Sequence, residues 1–220
     1  MRRPTGSRRS GIFVTFEGIE GTGKSTQIAR VSARLRSQGR EVTEVREPGG
    51  TDMGEALRKI LLAPAREGIT PQAELFLYLA SRAQLVAHRI RPALAAGRIV
   101  IADRFGDASV AYQGGGRALG EERVRSLVHF ATGGLRPDRT YLLDLAPEAS
   151  LARVRSRGTP DRLEGEALTF HRRVRAAYRR LARAEPDRIL LLRGEEPIEA
   201  ITERILRDLQ SLLSPRPSAR

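Results

Sequence analysis

Gly18-Ile19-Glu20-Gly21-Thr22-Gly23-Lys24-Ser25 matches the pattern G-x-x-x-x-G-K-[ST] in full. It follows an apolar, β-prone run, Ile12 to Phe16, and opens a stretch of helical apolar spacing over 25–38. Strand, glycine loop and helix in that order make a phosphate-binding loop. The glycines let consecutive N–H groups curl inward onto phosphate oxygens, and the helix dipole adds positive potential. Lys24 is placed to reach the outer phosphates of a nucleoside triphosphate, and Ser25 to ligate Mg²⁺.

Working outward, four more short apolar runs read as strands: Val42 to Val45, Ile99 to Ala102, Thr140 to Leu145 and Ile189 to Leu192. Between them, 3.6-residue spacing predicts helices over 52–63, 71–96, 120–132, 147–157, 163–184 and 197–213. Strands alternating with helices pair in parallel through crossovers, which gives an α/β fold: a five-stranded parallel sheet with helices on both faces. Residues 11–213 read as one domain, flanked by basic tails, 1–10 and 214–220, whose composition is that of disordered arms. Ligands of such a fold gather at the C-terminal ends of the strands. Asp103-Arg104 stands at one of them, with the carboxylate expected beside the metal and the guanidinium beside a phosphate.

The 220 residues contain no cysteine, which excludes disulfide frameworks, thiolate metal sites and cysteine nucleophiles and suits a reducing cytoplasm. No run has the length of a membrane span, and no apolar signal segment is expected at Met1 to Gly6. The net charge of +13 comes partly from the tails, and aromatic residues are only 5%, little material for stacking along a nucleic-acid strand. The body is therefore expected to be basic for a small phosphate-rich ligand, with no nucleic-acid partner. Among 39 basic residues only Lys24 and Lys59 are lysine, so lysine at the phosphate loop stands out where a lone arginine would not.

Two further features concern the acceptor of a phosphoryl group. Arg82 falls on the apolar stripe of helix 71–96, one turn from Tyr78, and a buried guanidinium there needs either an acidic partner or a ligand. Arg153, Arg155, Arg157 and Arg162 surround a Gly158-Thr159-Pro160 turn, a composition suited to a lid over phosphates, placed at 153–164.

Together these residues resemble the thymidylate kinase family, whose members pass the γ-phosphate of ATP to dTMP. The carriers are Phe16 to Ser25, Arg46-Glu47-Pro48-Gly49-Gly50-Thr51, Ser81-Arg82-Ala83-Gln84, Asp103-Arg104-Phe105, Ala111-Tyr112-Gln113-Gly114-Gly115-Gly116-Arg117 and Asp161-Arg162-Leu163-Glu164. Their order resembles the bacterial branch. The resemblance implies a nucleoside-monophosphate-kinase fold and a homodimer. It also implies ATP contacts from Gly18, Ile19, Glu20, Gly21, Thr22, Gly23, Lys24, Ser25 and Thr26, and Mg²⁺ beside Ser25 and Asp103. For dTMP it implies Glu20 on the 3′-hydroxyl, Tyr78 stacked on thymine, Arg82 on a thymine carbonyl, Arg104 on the monophosphate and Tyr112 against C2′. Pro48, Ser109 and Gln113 complete the pocket. Lys24, Arg104, Arg153 and Arg157 are the implied catalytic cations. Gly21 stands where the eukaryotic branch has a basic residue, so the lid must supply the charge. The alternatives are another nucleoside or nucleotide kinase, or a P-loop NTPase acting with nucleic acid.

Overall fold

The structure, a computed structural model, describes residues 11–63, 68–156 and 161–213. Both tails and Arg157 to Pro160 of the expected lid lie outside the described residues.

Strands β1 (Ile12–Glu17), β2 (Val42–Arg46), β3 (Ile99–Asp103), β4 (Arg139–Asp144) and β5 (Ile189–Arg193) form one sheet, all parallel, in the order β2-β3-β1-β4-β5. The three inner strands are apolar along nearly their whole length because both sheet faces are covered. Val14 and Phe16 of β1, with Ile99 and Ile101 of β3, pack against α1 (Lys24–Ser37) and α9 (Ile198–Leu213). On the other face, Phe13, Val100 and Ala102 pack against α3 (Pro71–Leu85) and its continuation. Preceding α3 is α2 (Asp52–Leu62), and the hydroxyls of Thr51 and Thr70 cap the two helices by accepting from the N–H groups of Gly54 and Ala73.

The helix expected over 71–96 is three segments. A π-helical turn, Val86–Ile90, separates α3 from α4 (Arg91–Ala95). Pro92 is the reason: inside an unbroken α-helix its ring would crowd the preceding turn, and the wider turn accommodates it while Arg91 N–H donates to the Val86 carbonyl. The helix expected from 163 begins only at Leu168, as α8 (Leu168–Ala184). Residues 161–165 form a turn instead, in which the Asp161 carboxylate accepts from the N–H groups of Leu163 and Glu164 and Asp161 N–H donates to Glu164.

The remaining elements are α5 (Gly106–Ser109), a π-helical segment Val110–Gly116, α6 (Glu121–Thr132) and α7 (Pro147–Arg155). The first two were not expected from apolar spacing. The glycines that hide the pattern are needed for packing. A Cβ on Gly115 would lie 2.6 Å from the Ala177 Cβ, and one on Gly116 2.7 Å from the Phe170 ring, so α8 can lie directly on this segment.

Candidate active site

The C-terminal ends of β1, β2 and β3 open into a cleft lined by Glu20, Gly21, Lys24, Ser25, Pro48, Tyr78, Asp103, Arg104, Ser109, Tyr112 and Gln113. The phosphate loop forms one wall. Lys24, the first residue of α1, buries its ammonium and donates to the carbonyls of Gly18 and Ile19 at 3.0 and 2.9 Å. Burial, with Arg104 nearby, pushes its pKa down to about 8. Thr22 donates to the Ile19 carbonyl at 2.9 Å and braces the loop, whereas Ser25 and Thr26 stand exposed at the helix start. Ser25 Oγ lies 3.4 Å from Asp103 Oδ2. Two adjoining oxygen donors open to the cleft suit Mg²⁺, which takes few protein ligands and completes its shell with water and phosphate.

α7 covers the loop from above. Ser150 Oγ donates to the Glu20 carbonyl, and a Cβ on Gly21, whose φ is +73°, would lie 2.6 Å from the Ser150 carbonyl oxygen. The loop position lacking a side chain is therefore occupied by the helix that carries Arg153. The Arg153 guanidinium points at the carbonyls of Gly21 and Gly194, 3.5 and 3.4 Å away, and is exposed. Such contacts sit at the limit of hydrogen bonding and hold it weakly. Arg157 lies outside the described residues.

Beside Lys24, and including Glu20 of the loop itself, five side chains form one network. Arg104 Nη2 donates to Glu20 at 2.7 Å and to the Tyr112 hydroxyl at 3.1 Å, and Nη1 to the Tyr178 hydroxyl at 3.3 Å. Tyr112 donates to Glu20, and Tyr178 to Glu17 at 2.7 Å. Arg104 has a φ of 69°, a left-handed conformation rare outside glycine. Its N–H donates to the Phe16 carbonyl, and the next N–H, of Phe105, to Glu17 at 2.7 Å, so β1 fixes the bend from both sides. Burial opposes ionisation of Glu20, but Arg104 and Lys24 outweigh it and hold the carboxylate below its ordinary range.

Glu17 behaves in the opposite way. Burial and the negative Asp107 raise its pKa from 4.5 to about 7. The folded state then keeps a proton that the unfolded state has released, so this group's contribution to stability declines as pH rises from about 4.5 to 7. Glu17→Gln, which keeps an acceptor for Phe105, should flatten that decline. Melting temperatures at pH 5 and pH 7 check this, and a difference as large as in the wild type would contradict it.

Arg82 resolves the choice left open by its position on the stripe. It is 1% exposed and lies behind the cleft wall, donating from Nε to Glu47 at 2.7 Å, from Nη1 to Ser109 at 3.0 Å and from Nη2 to the Phe105 carbonyl at 2.9 Å. The protein supplies the acidic partner itself. Glu17, Glu47, Glu74 and Tyr178 are the site and near-site residues that motif reading did not assign. Tyr178 is indistinguishable by spacing from the core residues of α8.

The sheet order, the phosphate loop entering α1 and the cleft that continues from it to Tyr78, Arg104 and Gln113 define a P-loop kinase of the nucleoside-monophosphate-kinase type. The thymidylate kinase family model matches residues 16–205. Curated thymidylate kinases are similar at high coverage: that of Deinococcus radiodurans is 53% identical over 86% of this chain and 93% of the relative, and that of Pseudomonas putida strain GB-1 is 48% identical over 93% and 95%. One from an Exiguobacterium species is 46% identical over 90% and 93%. The chain belongs to the thymidylate kinase family.

Proposed function

We propose that the chain transfers the γ-phosphoryl group of ATP to dTMP, giving ADP and dTDP. The observation that carries this is the pairing of the phosphate loop with the Glu20–Arg104–Tyr112 network across one cleft, within a chain of this family. The loop N–H groups and Lys24 hold the donor phosphates, and Arg104 holds the acceptor phosphate. An oxygen of that phosphate attacks the γ-phosphorus as the bond to ADP breaks, so the protein's work is alignment and charge stabilisation. Ser25 and Asp103 would hold Mg²⁺, which neutralises charge on the donor phosphates. Glu20 takes the 3′-hydroxyl, Tyr78 the face of the base, and the N–H left over on Arg82 Nη1 a base carbonyl. Pro48, Ser109 and Gln113 close the pocket. Arg153 and Arg157 bring positive charge to the transferring group.

Tyr112 is held by Glu20 and Arg104, so it cannot move aside for a 2′-hydroxyl. Coupled ADP-release assays over a panel of monophosphates should rank dTMP first, dUMP lower and UMP very low, with Tyr112→Ala narrowing the gap between the last two. Equal use of dUMP and UMP by the wild type would remove that role, and turnover of nucleosides in place of monophosphates would favour another kinase.

Several α8 arginines are already paired, Arg172 with Glu148, Arg175 and Arg179 with Asp144, and Arg180 with Glu121, which favours small-molecule substrates over a nucleic-acid partner. Among the described residues no helix is long and apolar enough to cross a membrane, and with the absence of cysteine this supports a cytoplasmic setting. Phe76 on α3, Met53 and Ile60 on α2 and Phe130 on α6 are exposed on helices that pack side by side. They support a homodimer through these helices, and sedimentation as a monomer at micromolar concentration would contradict it.

A further inference from the structure

Glu74 lies in the first turn of α3 and is fully buried, 0% exposed. Four contacts from three side chains converge on its carboxylate. Arg162 Nη1 stands 2.7 Å away, Arg117 donates from Nη2 and Nε at 3.0 and 3.2 Å, and Gln113 Nε2 donates at 2.9 Å. Arg117 is itself fixed by Glu166 at 2.6 Å and lies over the Phe170 ring, and Arg162 Nε donates to the Leu61 carbonyl at 2.7 Å. Two arginines against Glu74 and Glu166 balance the charge. Although burial opposes ionisation of Glu74, the bonds from Arg117 and Gln113 and the charges of Arg117 and Arg162 hold its carboxyl below the usual range.

An ionised carboxylate can only accept hydrogen bonds. The Gln113 side chain must therefore turn its nitrogen towards Glu74, which directs its carbonyl oxygen away from the carboxylate. With Glu74 removed, the amide could rotate by half a turn and offer the opposite polarity, since its two ends have nearly the same shape. Gln113 also lines the acceptor cleft.

We infer that Glu74 is a positioning residue for acceptor specificity: by fixing the amide of Gln113 it makes that residue present an acceptor to the base, selecting a pyrimidine whose ring N3 carries hydrogen over one whose N3 is bare. Arg117 and Arg162 serve this by keeping Glu74 ionised. Because Arg162 lies in the turn over 161–165, at the C-terminal end of the 153–164 segment, the same carboxylate ties that end of the segment to the base pocket. The inference rests on the dTMP reading, and the two fail separately: wild-type turnover of dTMP tests that reading, and a variant's change in base preference tests this one.

The experiment compares dTMP with dCMP for the wild type and Glu74→Gln, measuring kcat and KM for each acceptor and KM for ATP. The wild type should prefer dTMP. In the variant the dTMP-to-dCMP ratio of kcat/KM should fall about tenfold, the scale of one hydrogen-bond preference, chiefly through KM for the acceptors, with KM for ATP within about twofold. A fall of less than about threefold in a folded variant overturns the inference. If Glu74→Gln does not fold, wild-type protein labelled with ¹⁵N at glutamine decides. The Gln113 amide protons should exchange slowly with solvent and keep their shifts when dTMP binds, and protons that shift by donating to the base overturn the proposal.

Discussion

Replacing Lys24 by alanine is expected to bring turnover below about a tenth of the wild-type rate, since the phosphate-loop lysine supplies charge to the transferring group, while the melting temperature at pH 7 stays at or above the wild-type value. The two effects have one cause. The ammonium is buried, its hydrogen-bond partners among the described residues are two carbonyls, and burial with Arg104 nearby pushes its pKa from 10.5 down to about 8 despite Asp103, Glu20 and Glu17. A lysine whose folded pKa is depressed binds its proton less readily than in the unfolded chain, so at pH 7 its charge opposes folding, a penalty that fades as pH rises through about 8 to 10.5. The proposed role accounts for a position occupied at the expense of stability: the charge would serve the nucleotide. A variant retaining more than a tenth of the activity would sink the role, and a clear fall in melting temperature would show that Lys24 is structural.

Arg153→Ala should lower kcat by about two orders of magnitude or more, with the affinity for dTMP changing far less. An arginine that meets the charge of a phosphoryl-transfer transition state is worth roughly 10³ to 10⁵ in rate, against about 0–1 kcal/mol for an exposed ion pair. The guanidinium is already beside the phosphate loop, on a helix seated over Gly21, and its contacts at 3.4 and 3.5 Å are weak enough to be exchanged for phosphate oxygens. Arg155 is exposed. If Arg153→Ala, Arg155→Ala, Arg157→Ala and the triple variant all keep kcat within about fivefold of wild type, the division of labour between lid and loop is wrong.

The sheet was legible because its signals are local: continuous apolar runs mark strands covered on both faces, and the phosphate loop follows from a contiguous motif. What escaped was structure set by contacts between distant residues. The segment from Gly106 to Gly116 is helical although its glycines carry no apolar pattern, since Gly106 and Gly114 lie close against α6 and Gly115 and Gly116 admit α8. Asp103 and Arg104 could be placed from the end of a strand. Glu17 could not be assigned, because its importance lies in the Phe105 N–H and the Tyr178 hydroxyl that meet it in the fold. Arg82 shows the boundary clearly: a charge on an apolar stripe announced that it needed a partner, and only the packed structure identified Glu47.

The strand order also bears on how a ribosome must deliver this protein. β1 is central, and its neighbours are β3 and β4: Ile12 aligns with Ile99, and Val14 with Arg139. Neither neighbour exists when β1 leaves the exit tunnel, and β2, which is made next, pairs only with β3. The apolar run Ile12 to Phe16 thus waits through the synthesis of well over half the chain before its second edge is paired. During that interval it is an unpaired strand of the kind that aggregates or engages chaperones. The loop between β1 and α1 is among the first segments translated yet gains one of its walls late, because α7, which lies over Gly21, emerges later still.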